Sequence, residues 1–333
     1  MTAPHRVIIW PKIQSILAVH SGDSVTLFQE IQHQGTTWFL RQAMAHKLQL
    51  PAESDLARQS HYIDYSLTES VFPGLSRQDA VAYAEAFFDC YHPFCPILDE
   101  ERLMETMLPN TLRGDLGDRE TELVLTLFVL ALGKMAYHGG GGEFPKPHDI
   151  LAVDSRKDPV EQPPGIEIFN EARRGLGAIA TSCTLDNVRI NLLQATYHAA
   201  TGGHLEFWRC AVEASRTCQV LLQSRDNDRF SPEDDMIKRV FWACVINEDY
   251  FHLDLDLPRT GVFEWEDRIP LPTFSQDATR LEHLDGDFSA QPPITESHFL
   301  ATLTLRRLIS RIHSTLEASK HTSYPAAVLT EQD

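Results

Sequence analysis

The chain has 333 residues, 43% of them hydrophobic and 23% charged, the balance of a globular protein and not of a disordered one. At roughly 150 residues per domain, this length makes one or two domains, large enough to bury a core without a metal or a disulfide. Twenty-nine Lys and Arg stand against 47 Asp and Glu, a net charge of −18, and residues 76–333 carry 24 basic and 41 acidic side chains. Such a surface repels a phosphate backbone, so the chain by itself is not expected to bind DNA.

Residues 1–75 mix Gln, Ser and His with short apolar pieces, and only Thr37 to about Leu48 has helical spacing. This segment is expected to be a loosely packed leader with one docked helix. Its apolar patch, Val7-Ile8-Ile9-Trp10, is cut by Pro11 and lacks the roughly 7–15-residue run of a secretory signal.

From Ser76 the spacing turns helical. Ser76 is placed to cap a helix whose Val81, Ala84, Phe87, Phe88 and Tyr91 share one face and which Pro93 stops. Pro109, Gly114 and Gly117 mark a loop. Arg119 to Tyr137 is apolar almost all round, the pattern of a fully buried central helix. Its longest apolar run, Leu123 to Leu132, is far below the ~20 residues of a membrane span, so an intracellular, soluble chain is expected. Gly139 to Gly142 break this helix, and Pro145, Pro147, Pro159, Pro163 and Pro164 mark a long loop.

Two helices are expected next, about Ile166 to Ser182 and Asp186 to Ala200, divided by Cys183-Thr184-Leu185. Another spans His204 to Gln223, with Leu205, Trp208, Val212 and Leu221 as its inward stripe. Ser231-Pro232-Glu233-Asp234 supplies an N-cap hydroxyl, a Pro at the first helical position and acids in the first turn. The helix it starts turns Met236, Ile237, Val240, Phe241 and Cys244 inward and runs to about Phe251. From Leu253 to Gln291 no period is clean, and Pro258, Pro270 and Pro272 signal loop. The last helix, Ser297 to about Leu316, is striped by Leu300, Leu303, Leu308 and Ile312. No alternating pattern of useful length appears. The expectation is an all-α chain with at least seven helices, divided into a leader 1–75, a helical domain 76–320 and a tail 321–333.

Chemistry-bearing patterns are sparse. Cys90, Cys95, Cys183, Cys210, Cys218 and Cys244 include no C-x-x-C pair, so neither a zinc ribbon nor a thioredoxin-like site is readable. Most lie in apolar helical contexts, where a reduced thiol packs as a small hydrophobe. Asp254-Leu255-Asp256 offers two carboxylates to a divalent cation but lacks further oxygen ligands nearby, and reads as a solvated loop. Glu233-Asp234-Asp235 resembles the aspartate-rich ends of helical isoprenoid synthases, yet Met236, Ile237 and Lys238 stand where a second acidic pair is needed. A first-turn dipole role explains these acids more simply. Gly139 to Gly142 has no strand before it and no Lys-Ser or Lys-Thr after it, so it fits neither a P-loop nor a dinucleotide fingerprint. The histidines are scattered, without H-E-x-x-H, and His92 beside Pro93 reads as capping or packing. There is no G-x-S-x-G elbow. No catalytic residue, no cofactor and no metal site is expected.

Three blocks carry a resemblance. The first is the aromatic helix end Phe87-Phe88-Asp89-Cys90-Tyr91-His92-Pro93, followed by Phe94-Cys95-Pro96-Ile97-Leu98-Asp99-Glu100. The second is Gly203-His204-Leu205-Glu206-Phe207-Trp208 with Ala211 and Ala214. The third runs Lys238-Arg239-Val240-Phe241-Trp242, Glu248-Asp249, Leu257-Pro258-Arg259-Thr260-Gly261 and Ile269-Pro270-Leu271-Pro272. In this order and spacing, over residues 80–316, they resemble the regulatory middle homology region of fungal-specific transcription factors of the zinc binuclear cluster family. The turn departs from the family's Gly-Arg-Pro type. Arg239 is expected to pair with Glu248 or Asp249.

The resemblance implies an all-helical regulatory domain, usually without catalysis, in a nuclear protein controlling a metabolic or secondary-metabolite gene set. It also implies a homo- or heterodimer with another transcription factor, and leaves room for a small-molecule effector that no residue identifies. Family members begin with six cysteines paired as C-x2-C, whose helix reads the major groove, whereas no cysteine here precedes Cys90. The chain also stops at Asp333, where the family region commonly continues. The expectation is therefore the regulatory part of a longer protein, or a paralogue that reaches DNA only indirectly, with a decoy that silences a full-length factor and a terpene-synthase-like helical enzyme as the competing readings.

Overall fold

The computed structural model describes residues 75–113, 120–138, 163–225, 230–231, 234–255, 257–274 and 294–322, with isolated residues at 15, 35, 40, 41 and 44. Among these residues the fold is all-α, without strands. Apart from residues 40, 41 and 44, the expected leader helix lies outside the described residues, as do Gly139 to Gly142, most of the proline-rich loop, Gly114, Gly117 and the tail beyond Thr322.

Helix α1, Arg77–Cys90, starts where the sequence places it: Ser76 Oγ accepts the Asp79 N–H at 3.0 Å. Ala84, Phe87, Phe88 and Tyr91 are buried, with Ala80 and Tyr83 beside them. Beyond its end, His92 packs its ring on Phe88 and places Nε2 3.0 Å from the Leu98 carbonyl, turning the chain so that Ile97 and Leu98 enter the core.

Asp99 then caps a helix that the sequence reading treats as loop. Its Oδ1 accepts the Arg102 N–H at 2.9 Å. This helix, α2, is an α turn Glu100–Arg102, a π segment Leu103–Met107 and an α segment Leu108–Arg113. Pro109 is inside it. Proline has no N–H to give and its ring would strike the carbonyl four residues back. The π segment, where the Leu108 N–H reaches back to Leu103, widens the helix just ahead of it.

The centre is α3, Glu120–His138, buried without a break from Val124 to Gly133. By length and composition it would suit a membrane span, but α1, α4 (Ile166–Ile179) and α5 (Leu185–Ala200) cover it. Two glycines allow that closeness. A Cβ on Gly133 would sit 1.8 Å from the Tyr83 carbonyl oxygen, and one on Gly165, at φ +80, 2.4 Å from that of Ala131. Thr184 caps α5 through its hydroxyl, bonded by the Asn187 N–H at 3.2 Å.

Helix α6, His204–Gln223, buries a different stripe from the expected one. Ala211, Ala214, Ser215, Thr217, Cys218 and Leu222 face inward, while Leu205, Trp208, Val212 and Leu221 are half-buried flanks. Small residues win because α5 and α6 lie side by side, with Ala195 and Ala211 packed together against Phe251. Helix α7, Asp235–Leu255, begins later than Ser231 and is buried nearly all round from Lys238 to Ile246.

Helix α8, Ile294–Thr322, is longer than expected at both ends. It buries Phe299 and Leu303 and half-buries Leu300. Leu308 and Ile312, expected on the inward stripe, are exposed together with Leu305 and Ile309, because no described element follows the helix that far.

Candidate functional site

The third sequence block folds into one unit. After α7 the chain reverses, and residues 257–274 run back along this helix as a strap that includes the 3-10 turn Val262–Trp265. Three sets of side chains fasten it.

Near the C-terminal end of α7, Glu248 is 1% exposed. Its Oε1 accepts the Thr260 N–H at 3.0 Å and the Gly261 N–H at 3.4 Å, and its Oε2 the Thr260 hydroxyl at 2.5 Å. Gly261 has φ +93, a conformation that suits glycine best. Gln219 of α6 donates to the Thr260 carbonyl at 3.3 Å. Beside it, Arg259 donates to buried Asp249 at 3.1 Å and lies 4.6 Å over the Phe263 ring. Midway, Trp242 donates its indole N–H to the Pro270 carbonyl at 3.0 Å.

At the N-terminal end Asp235, 2% exposed, gathers the strap's last residues. Its Oδ1 accepts the Thr273 N–H at 2.6 Å and the Thr273 hydroxyl at 3.1 Å. Its Oδ2 accepts the Phe274 N–H at 3.1 Å and the Arg239 Nε–H at 2.8 Å. Lys238 stands 3.7 Å away, and the Arg239 guanidinium lies 4.0 Å over the Phe274 ring. Phe274 holds φ 50, in the left-handed region a bulky side chain rarely enters.

Two sequence expectations are corrected here. Arg239 pairs with Asp235, one turn before it, and not with Glu248 or Asp249, which lie two to three turns further along α7 and hold Thr260 and Arg259. Asp235 is no exposed first-turn acid acting through the helix dipole but a buried anchor, whereas Asp234 makes a two-point pair with Arg225 at 3.0 and 2.9 Å. Both described acids of the Glu233-Asp234-Asp235 triplet are thus bound to internal partners. The side chains of Asp254 and Asp256 lie outside the described residues. Spacing could not reveal Asp235, because its partners are 38 and 39 residues away in an aperiodic segment.

The carboxylates differ electrostatically. Burial pushes Asp235 up, but the Thr273 N–H and Arg239 outweigh it and hold the group below the ordinary aspartate range. Asp249 is raised, since burial outweighs Arg259 and Arg306. Glu266, paired with Arg307 at 3.4 Å, is raised for the same reason, burial outweighing its arginine. The thiols are poor nucleophiles where they are enclosed: burial lifts Cys95 to about 12 and Cys210 to about 11, and Cys244, beside Cys218, well above the usual value. Cys183, in the divider between α4 and α5, is exposed. Among the described residues no three His, Cys, Asp or Glu side chains are grouped to hold a metal.

The arrangement fixes position: its charged side chains hold an aperiodic segment against a buried helix. The model of the fungal specific transcription factor domain matches residues 84–327. That is well over half of the chain, which belongs to this family of transcription regulators. No curated protein and no solved structure matches it.

Proposed function

We propose that the chain is a nuclear regulator of transcription that acts through its helical domain, residues 76–320, on a metabolic or secondary-metabolite gene set. The family match over residues 84–327 carries this reading. The charge supports an indirect route to DNA. With 41 acidic against 24 basic residues after Leu75 and no cysteine before Cys90, these residues offer neither a phosphate-neutralising face nor a zinc-cluster reading helix. DNA contact comes from a zinc-cluster module outside this sequence or from a partner transcription factor, with which the chain forms a homo- or heterodimer. The leader 1–75 and the tail 321–333 flank this domain.

The test joins the full chain to an unrelated DNA-binding domain and measures a reporter carrying that domain's site, with the purified chain titrated in parallel against a DNA panel at moderate salt. Changed reporter output with no DNA binding by the chain alone is the expected result. An unchanged reporter in the presence of nuclear fusion protein, or tight sequence-specific binding by the 333 residues, overturns the proposal. Silencing of a full-length factor on co-expression, without reporter activity of its own, identifies the decoy instead.

A further inference from the structure

Helix α8 changes its apolar side midway. Phe299 and Leu303 are buried in the core, but from Leu305 the apolar positions lie on nearly the opposite side of the helix. Leu305, Leu308, Ile309 and Ile312, spaced i, i+3, i+4 and i+7, share one stripe and are 38–59% exposed. Between them, Arg306 and Arg307 turn to the body: Arg306 lies 3.5 Å over the Tyr250 ring, and Arg307 pairs with Glu266 at 3.4 Å. Single exposed leucines are ordinary. Four on one face, with arginines on the side toward the core, form a patch of the kind that marks an interaction surface.

The border of this stripe carries one sign of charge. In a chain with 47 acids among 333 residues, Ser297 to Leu316 holds none, and it holds Arg306, Arg307 and Arg311. Arg307 is taken up by Glu266. Arg306, one turn before Ile309, is fixed by its stack on Tyr250, itself 37% exposed. Asp249 attracts it, but among the described residues no acceptor takes a hydrogen bond from its guanidinium. That group offers five N–H donors in one plane, and stacking on a ring leaves its edge open to a carboxylate.

We propose that this face docks an amphipathic helix of a partner protein, its apolar stripe on Leu305, Leu308, Ile309 and Ile312 and a bordering Asp or Glu paired with Arg306. Apolar contact supplies the buried area, and the arginine border selects an acidic helix over a basic one. A second copy of this chain fits less well, because symmetric pairing in either direction sets the arginine borders of the two copies beside each other. The apolar area, about two whole side chains' worth, is also small beside the roughly 800 Å² per partner of a stable dimer, and suits a transient contact. The regulator reading gives the contact its purpose in recruiting another regulatory protein, and the inference rests on it only for that; binding is measured without any transcription.

The experiment follows labelled synthetic peptides by fluorescence anisotropy as the purified full chain is added. The peptides are about three heptads long, with Leu and Ile at the core positions and either Glu or Lys at the positions beside them. The Glu peptide binds with a Kd below about 1 mM, at least about tenfold tighter than the Lys peptide and than a Glu peptide with Ser at the core positions. Arg306→Gln weakens the Glu peptide at least about fivefold and does not weaken the Lys peptide. Leu308→Gln with Ile312→Gln weakens the Glu peptide at least about tenfold while the thermal midpoint stays within about 5 °C of the parent's. No binding below about 1 mM, a smaller preference for the Glu peptide, or a smaller loss in either folded variant overturns the assignment. A dimer in sedimentation that the double variant dissociates makes the occupant a second copy, and a larger fall in its midpoint makes it a segment of this chain. Recruitment to phosphatidylserine vesicles that the double variant loses makes it a lipid surface. Each of these three results overturns the partner helix. A reporter that fails while the Glu peptide binds strikes only the regulator reading.

Discussion

Asp235→Ala is the sharpest test of the strap. The substitution removes the acceptor of two backbone N–H groups and the counter-charge of Arg239, itself 5% exposed. Breaking one side of a buried ion pair costs about 3–5 kcal/mol, and each stranded N–H about 1–3 kcal/mol. These costs overlap, because the strap can lift and let water reach both, so about 4 kcal/mol is expected for the whole. Set against a total stability of about 5–15 kcal/mol, that is a large fraction. With a urea slope near 3 kcal/mol/M for a chain of this size, the midpoint falls by about 1.3 M. Asp235→Asn keeps an oxygen acceptor but loses the charge, and is expected at about half that cost. Native-state trypsin supplies an independent readout, since Arg259 and Arg268 lie in the strap and become cleavable once it detaches. A folded Asp235→Ala within about 1 kcal/mol of the parent, with no faster cleavage at either arginine, refutes the reasoning.

Asp235 and Asp249 are shifted in opposite directions and must respond oppositely to pH. The lowered group contributes stability above the unfolded value near 4, lost as pH falls through its native value. The raised group contributes most in acid, and that contribution is lost as pH rises from about 4 through its native value. Urea midpoints at about pH 7 and pH 3 should therefore show the deficit of Asp235→Asn shrinking in acid and that of Asp249→Asn growing; the same trend in both would contradict the assignment. Gly133→Ala places a methyl 1.8 Å from the Tyr83 carbonyl oxygen, so α1 must move off α3, at a cost of about 3 kcal/mol or more by circular-dichroism melting. Leu308→Gln with Ile312→Gln, on the exposed face of α8, should change stability by less than about 0.5 kcal/mol, and a loss above about 2 kcal/mol would mean that this face is covered.

Local signals were legible where one residue decides an element. A hydroxyl at Ser76 satisfies an otherwise orphaned N–H, so the start of α1 could be read directly, and the apolar run of α3 pointed to a buried centre. Family membership was legible too, because the three blocks keep their order and spacing, and the match over residues 84–327 bears that reading out. Pro109 misled because proline breaks helices locally, and the π segment that accommodates it has no sequence signature.

The amino-acid sequence by itself determined the helical class, the central helix, most helix boundaries from Arg77 to Gln223 and the family, since these follow from periodicity, caps and short blocks. Only the tertiary structure decided which charges pair, which stripe of α6 is buried, and where α8 leaves the core. Periodicity reports that a helix has an apolar face, but burial depends on whether a neighbour lies against that face. Carboxylates and guanidiniums can pair over any sequence distance, so the closure of Asp235 on Thr273 and Phe274 is a property of the folded chain alone.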